Sequence, residues 1–141
     1  MKSVLIDADI ILDFFFDRKT FSENAAKVLS LCESKEITGY VTSVIISNVY
    51  YLLRQTAQHQ KVVDKLKQLL SIMEVITTDK AVIEQALNSS IKDFEDALQN
   101  YSAEINGNID VIITRNLKDY KNSGLGVMTP GSYLKLKNNG K

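Results

Sequence analysis

The sequence predicts an α/β fold built on a mainly parallel sheet, and three observations carry that prediction. Val4-Leu5-Ile6 is an apolar run with no alternation, the pattern of a strand covered on both faces. Strand-like and helix-like stretches then alternate to the end of the chain, as in layered α/β proteins. Finally, polar side chains crowd the carboxyl ends of the two strongest strands, where open parallel sheets place their ligands. Asp7 and Asp9 follow the first strand; Thr114, Arg115, Asn116 and Asp119 follow Ile109–Ile113.

The elements justify themselves in order. Ile10, Ile11 and Leu12 start a helix directly after Asp7, and Phe14-Phe15-Phe16-Asp-Arg-Lys breaks it into a loop. Phe21 to Glu33 has Ala25, Ala26, Val28, Leu29 and Cys32 at helical spacing, with Ser22 as its N-cap. Gly39–Ser43 reads as a second strand, and Thr42 or Ser43 can cap a helix from Val44 to Gln55. That helix is apolar almost all round, which predicts burial. Gln58–Ile72 is amphipathic, Glu74–Thr77 a third strand and Lys80–Asn88 a further helix. Asp93–Asn106 is the most polar-faced helix, with an apolar stripe of Phe94, Ala97, Leu98, Tyr101 and Ile105. After Ile109–Ile113 come a turn at 122–126 and a last strand, Val127–Thr129. Residues 1–134 form one domain on this reading, and 135–141 a loose tail.

At 141 residues the chain suits a single core. No run of about 18 apolar residues suggests a membrane span, and no signal-peptide pattern opens the chain. The single cysteine, Cys32, excludes an internal disulfide, fits a reducing cytoplasm and lies on an apolar helical face. A formal net charge of zero argues against a broad basic surface for nucleic acid, so such a substrate would have to be gripped locally.

The candidate chemistry is carboxylate chemistry. Asp7 can cap the following helix, hold a divalent cation or act as a nucleophile. Asp93, Asp96 and Asn100 share the flank of one helix. They are ordinary N-terminal helix acids, or acids gathered for a cation that relieves their repulsion. Thr114 and Asn116 are neutral oxygen donors, Asp119 an acid, and Arg115 and Lys118 cations able to hold phosphate. Asn48, an amide in an apolar helix, needs either core partners or a site to face. Asp13, one turn after Asp9, reads as a surface residue. His59 has no partnering cluster, Cys32 no activating context, and no Gly-rich phosphate loop occurs. What remains are hard oxygen ligands, suited to Mg²⁺ or Mn²⁺ rather than Zn²⁺.

Four segments, Leu-Ile-Asp7-Ala-Asp9, Thr-Ser-Val-Ile-Ile-Ser-Asn48-Val-Tyr-Tyr-Leu-Leu-Arg, Lys-Asp93-Phe-Glu-Asp96-Ala-Leu-Gln and Ile-Ile-Thr-Arg-Asn116-Leu-Lys-Asp119-Tyr, together resemble the PIN-domain family. That family of metal-dependent nucleases includes the VapC-type toxins of bacterial toxin–antitoxin pairs. The resemblance implies a three-layer α/β/α sandwich, Mg²⁺ or Mn²⁺, and cleavage of single-stranded RNA to a 5′-phosphate and a 3′-hydroxyl. It implies that Asp7, Asp96 and Asp119 bind metal, with Asp93 a second candidate for Asp96, and that Asn116 and Asp119 complete the site. Asn48, Thr114, Arg115 and Asp9 would position water, phosphate and RNA. It also implies an antitoxin partner, and a homodimer would fit the surplus of apolar residues on the early helices. The departure is Asn48, where the family usually has Glu: an amide carries no charge and takes no proton. That departure favours a rival reading, a non-catalytic module binding RNA or a partner protein. A haloacid-dehalogenase-type phosphatase also opens with Asp-x-Asp but follows it with Gly-Thr, here Ile10-Ile11. A receiver domain would need its acid on a middle strand.

Overall fold

The apolar run at the N-terminus is the centre of the sheet. The structure is a computed structural model that describes residues 2–139. In chain order the elements are β1 (Ser3–Ile6), α1 (Ala8–Phe15), α2 (Ser22–Glu33), β2 (Thr38–Thr42), α3 (Ser43–Arg54) and α4 (His59–Ser71). They continue as β3 (Glu74–Ile76), α5 (Lys80–Leu87), α6 (Phe94–Asn106), β4 (Val111–Ile113), a 3₁₀ turn (Leu117–Tyr120), β5 (Gly126–Met128) and α7 (Pro130–Asn139). Five strands form one sheet in the order β3-β2-β1-β4-β5, and every pairing is parallel. Helices flank it, so Val4 to Ile6 and Val111 to Ile113 have no solvent exposure; each such side chain contributes roughly 1.5–3 kcal/mol by leaving water.

The topology locates the site. From β1 the chain winds outward through β2 and β3, then returns to the other side of β1 as β4. The strand order therefore switches between β1 and β4, and the crevice beyond their carboxyl ends is where such sheets bind ligands. Asp7 and Thr114 are the first residues past those two ends. The Asp7 N–H donates to the Ile113 carbonyl at 3.0 Å, which locks the two ends together.

Several local expectations are corrected. The α2 N-terminus is not capped by Ser22: Phe21 holds the cap position without a side-chain bond, and the Ser22 hydroxyl donates to Asp17 instead. Of the two expected candidates, Thr42 is the cap of α3, accepting from the Ile45 N–H. α3 is not buried all round. It packs against α1, α4 and α6 and buries Ile45, Val49 and Leu53, but its other side borders an open cavity, and Tyr51 is 67% exposed. The stripe on α6 is buried only at its middle, since Phe94 and Ile105 are exposed. The residues from Lys135 to Asn139, expected to be loose, continue α7; residues 140–141 of that tail lie outside the described residues. Pro130 starts the helix with its φ already set, the Ser132 N–H donates to Thr129 Oγ1, and buried Tyr133 anchors it against α2.

A smaller apolar cluster, Val82, Ala86, Ile91, Ala97 and Leu98, joins α5 to α6 and so fixes the helix that carries Asp96. Cys32 is buried, and burial pushes its thiol up to about 12. Among the described residues no helix is long and apolar enough to cross a membrane.

Candidate active site

Asp7 caps a helix and also lines a cavity. It is the N-cap of α1, accepting from the Ala8 N–H at 2.8 Å, and it shares a cavity of about 450 Å³ with Asp9, Asp96 and Glu95. Although only 5% exposed, its carboxylate meets no cation among the described residues. Its other contacts are neutral: Gln99 Nε2 donates to Oδ1 at 2.9 Å, the Thr114 hydroxyl donates to Oδ2 at 2.9 Å, and Tyr120 Oη lies 3.3 Å from Oδ2. The same Tyr120 hydroxyl is 3.3 Å from Asp96 Oδ1. Two acids thus converge on one phenol, and burial between them pushes its pKa upward.

Asp9 sits in the first turn of α1 and accepts the Arg115 backbone N–H at 3.0 Å. Burial first, and the Asp7 charge second, push its carboxyl up to about 6. Asp96, in the first turn of α6, is pushed up to about 7, again by burial first and then by Asp7, Asp93 and Asp119. Both acids hold protons above the usual carboxylate range because burial disfavours their charged forms and the neighbouring acids add to it, against which the Arg115 charge only partly relieves Asp9.

The structure brings Asp7, Asp9, Asp96, Asn48 and Asn116 together on one cavity, with Thr114 directly behind it. Asp93 is elsewhere: it caps α6, accepting the Asp96 N–H at 3.0 Å. Asp119 is exposed on the 3₁₀ turn, near enough for its charge to reach Asp96 but not lining the cavity. The Arg115 guanidinium also points away. It grips Asp13 through two bonds, of 2.7 and 2.9 Å, and lies 3.9 Å over the Phe21 ring, bordering a separate pocket. Asn48 is no core amide; it is half-buried at the cavity wall.

Sequence reasoning missed four neighbours and misplaced a fifth residue. Gln99 is 2% exposed, and its helical spacing from Asp96 was a usable signal. Tyr120 is reached only through the tertiary fold. Glu95 and Arg18 line the cavity without any local signature. Asp13, read as surface, is 1% exposed and paired with Arg115 and Arg18. It continues the buried run of Ile10, Ile11 and Leu12 on α1.

The donor set fits a hard cation. Asp9 Oδ1 and Gln99 Oε1 are buried with no hydrogen-bond partner, an arrangement that costs about 1–3 kcal/mol per atom when nothing satisfies it. Swapping the Gln99 amide ends would only turn its oxygen on Asp7. Among the described residues no three acid, thiol or imidazole groups already stand close enough to enclose an ion. Asp7 and Asp96 nevertheless share one contact atom, and all the free donors are oxygens.

Fold and site together define the class: a parallel α/β protein with an acidic, oxygen-lined cavity at its topological switch point. The family model of the PIN domain matches residues 3–118, and the chain belongs to that family. It is similar to Ribonuclease VapC1 of Aquifex aeolicus (strain VF5), 26% identical over 133 residues, which cover 91% of this chain and 90% of that protein. Among solved structures it is similar to a toxin–antitoxin complex from Klebsiella pneumoniae, with a TM-score of 0.68 and 23% identity, covering 90% of this chain and 97% of that one. A sarcin–ricin loop cleaving toxin, VapC20 of Mycobacterium tuberculosis, matches with a TM-score of 0.62 and 16% identity over 77% of this chain and 86% of that one. These two likenesses show the fold.

Proposed function

We propose that this chain is an endoribonuclease that hydrolyses single-stranded RNA with the help of Mg²⁺ or Mn²⁺, and that it is the toxin of a toxin–antitoxin pair. The observation that carries the reading is the cavity at the β1–β4 switch point. There Asp7, Asp9 and Asp96 line one cavity, two buried oxygens lack donors, and among the described residues no side-chain cation pairs with Asp7. Likeness to a ribonuclease along 91% of the chain supports the same reaction, and the toxin–antitoxin complex among the similar structures supports a small antitoxin as partner, seated over the acidic cavity.

Bound among such oxygens, a divalent cation lowers the pKa of water and neutralises charge on the scissile phosphate. The chain supplies the rest. Four neutral donors fix Asp7 in one orientation, so the first ligand is preorganised. Asp96 and Asp9 add the remaining charge, and the geometry supports Asp96 over Asp93, whose oxygen is engaged at the helix cap. Asn116 on the cavity wall, and Arg18, can hold phosphate oxygens beside the reacting one. Exposed Tyr51 at the rim offers a face on which an RNA base can stack.

The test is cleavage of labelled single-stranded RNA with Mn²⁺, with Mg²⁺ and with EDTA, beside Asp7→Asn. Metal-dependent cleavage that the variant loses is the expected result. Absence of cleavage by folded, metal-loaded protein on several RNAs would contradict it and favour the non-catalytic module.

A further inference from the structure

Asn48 on α3 and Glu95 on α6 meet at the cavity wall: Asn48 Nδ2 donates to Glu95 Oε2 at 2.7 Å. Both residues line the cavity that holds Asp7 and Asp96. Glu95 is exposed and forms no salt bridge with the cations that pair elsewhere among the described residues. An exposed Glu keeps its rotamer freedom unless something opposes the loss, roughly 1.5–2 kcal/mol for such a side chain. Here an amide from another helix holds it on the wall of a cavity that three further acids, Asp7, Asp9 and Asp96, also line. A bond that adds a fourth carboxylate to an acidic cavity makes physical sense if something positive completes the cavity. The independent sign of a missing ligand is Gln99, one helical turn after Glu95: it is 2% exposed, lines the same cavity, and its Oε1 has no partner.

We propose that Glu95 is a cation-binding carboxylate of this site, engaging the ion directly or through one of its waters, and that Asn48 is the positioning residue that holds it there. The proposal rests on the nuclease reading above. Asn48 then brings a negative charge to the wall without carrying one, and the pair does the work of a single acid on α3.

The test is calorimetric titration of the metal-stripped full chain with Mn²⁺, beside cleavage of single-stranded RNA. Glu95→Gln keeps the volume and can still accept from Asn48, so a merely structural role would leave binding unchanged. The proposal expects its affinity for Mn²⁺ to fall about 10- to 100-fold, with melting in EDTA unaltered. Asn48→Ala should weaken binding by a smaller factor. The exchange Asn48→Glu with Glu95→Gln returns the charge from the other end of the pair and should recover most of the affinity and the cleavage. Glu95→Gln binding Mn²⁺ within about twofold of the parent, a difference well under 1 kcal/mol, while Asp7→Asn loses it, would overturn this proposal and leave the nuclease reading standing. A parent protein that binds no Mn²⁺ would overturn both.

Discussion

Two aspartates, Asp7 capping α1 and Asp13 within it, are buried to nearly the same degree and are treated in opposite ways. Asp13, 1% exposed, is held by Arg115 at 2.7 Å and Arg18 at 3.1 Å. Asp7, 5% exposed, has only an amide, a hydroxyl, a phenol and a backbone N–H. Burying a charge is tolerated when it is paired. Asp13 is complete and belongs to the structure. Asp7 is oriented but not neutralised among the described residues, and it lines one cavity with Asp9 and Asp96; on the proposal above, a bound cation supplies the missing positive charge. The contrast teaches that burial alone does not mark function; the identity of the partners does.

The largest effect that would break this comparison is at Asp7. Asp7→Asn should lower RNA cleavage about 1000-fold, equivalent to roughly 4 kcal/mol of transition-state stabilisation, while the protein stays folded by circular dichroism. Asp13→Asn should do the reverse. Its arginines are partly exposed and can turn to water, which limits the loss to about 2 kcal/mol, less than for a fully buried pair. That corresponds to a melting temperature roughly 5–10 °C lower, with cleavage per folded molecule largely kept.

Smaller, but specific to the acidic cavity, is the pH dependence of the cation-free protein. Asp9 and Asp96 titrate at about 6 and about 7 when folded, against about 3.9 unfolded. Raised folded values mean that the folded state binds the extra protons, so the contribution to stability is full at low pH and is lost as pH rises through 6 and 7. Melting in EDTA should therefore occur higher near pH 5 than near pH 8, and Asp96→Asn should flatten the slope. Mn²⁺ should reverse the trend, raising the melting temperature most at the higher pH, where protons no longer compete. The smallest expected effect is Arg18→Gln: a rise in KM for RNA of a few-fold and a shallower salt dependence, with kcat little changed.

How much of this was legible follows the same division. The strands, their parallel pairing and the place of Asp7, Asp96, Thr114 and Asn116 are written locally, in unalternated apolar runs and the polar residues that end them. The partners that decide what each acid does are not local. Gln99 and Tyr120 reach Asp7 from 92 and 113 positions away, and Arg115 reaches Asp13 from 102; no periodicity encodes such meetings. Arg115 therefore reads as a phosphate ligand in sequence, yet spends its guanidinium on Asp13. Asn48 reads as a lost acid until α6 brings Glu95 against it.

The most direct test of the central claim is an anomalous-difference map from crystals of the protein soaked in Mn²⁺. The account predicts a peak in the cavity bounded by Asp7, Asp9 and Asp96, lost in Asp7→Asn and absent beside Asp13. Mn²⁺ bound at other sites while that cavity stays without a peak would contradict it.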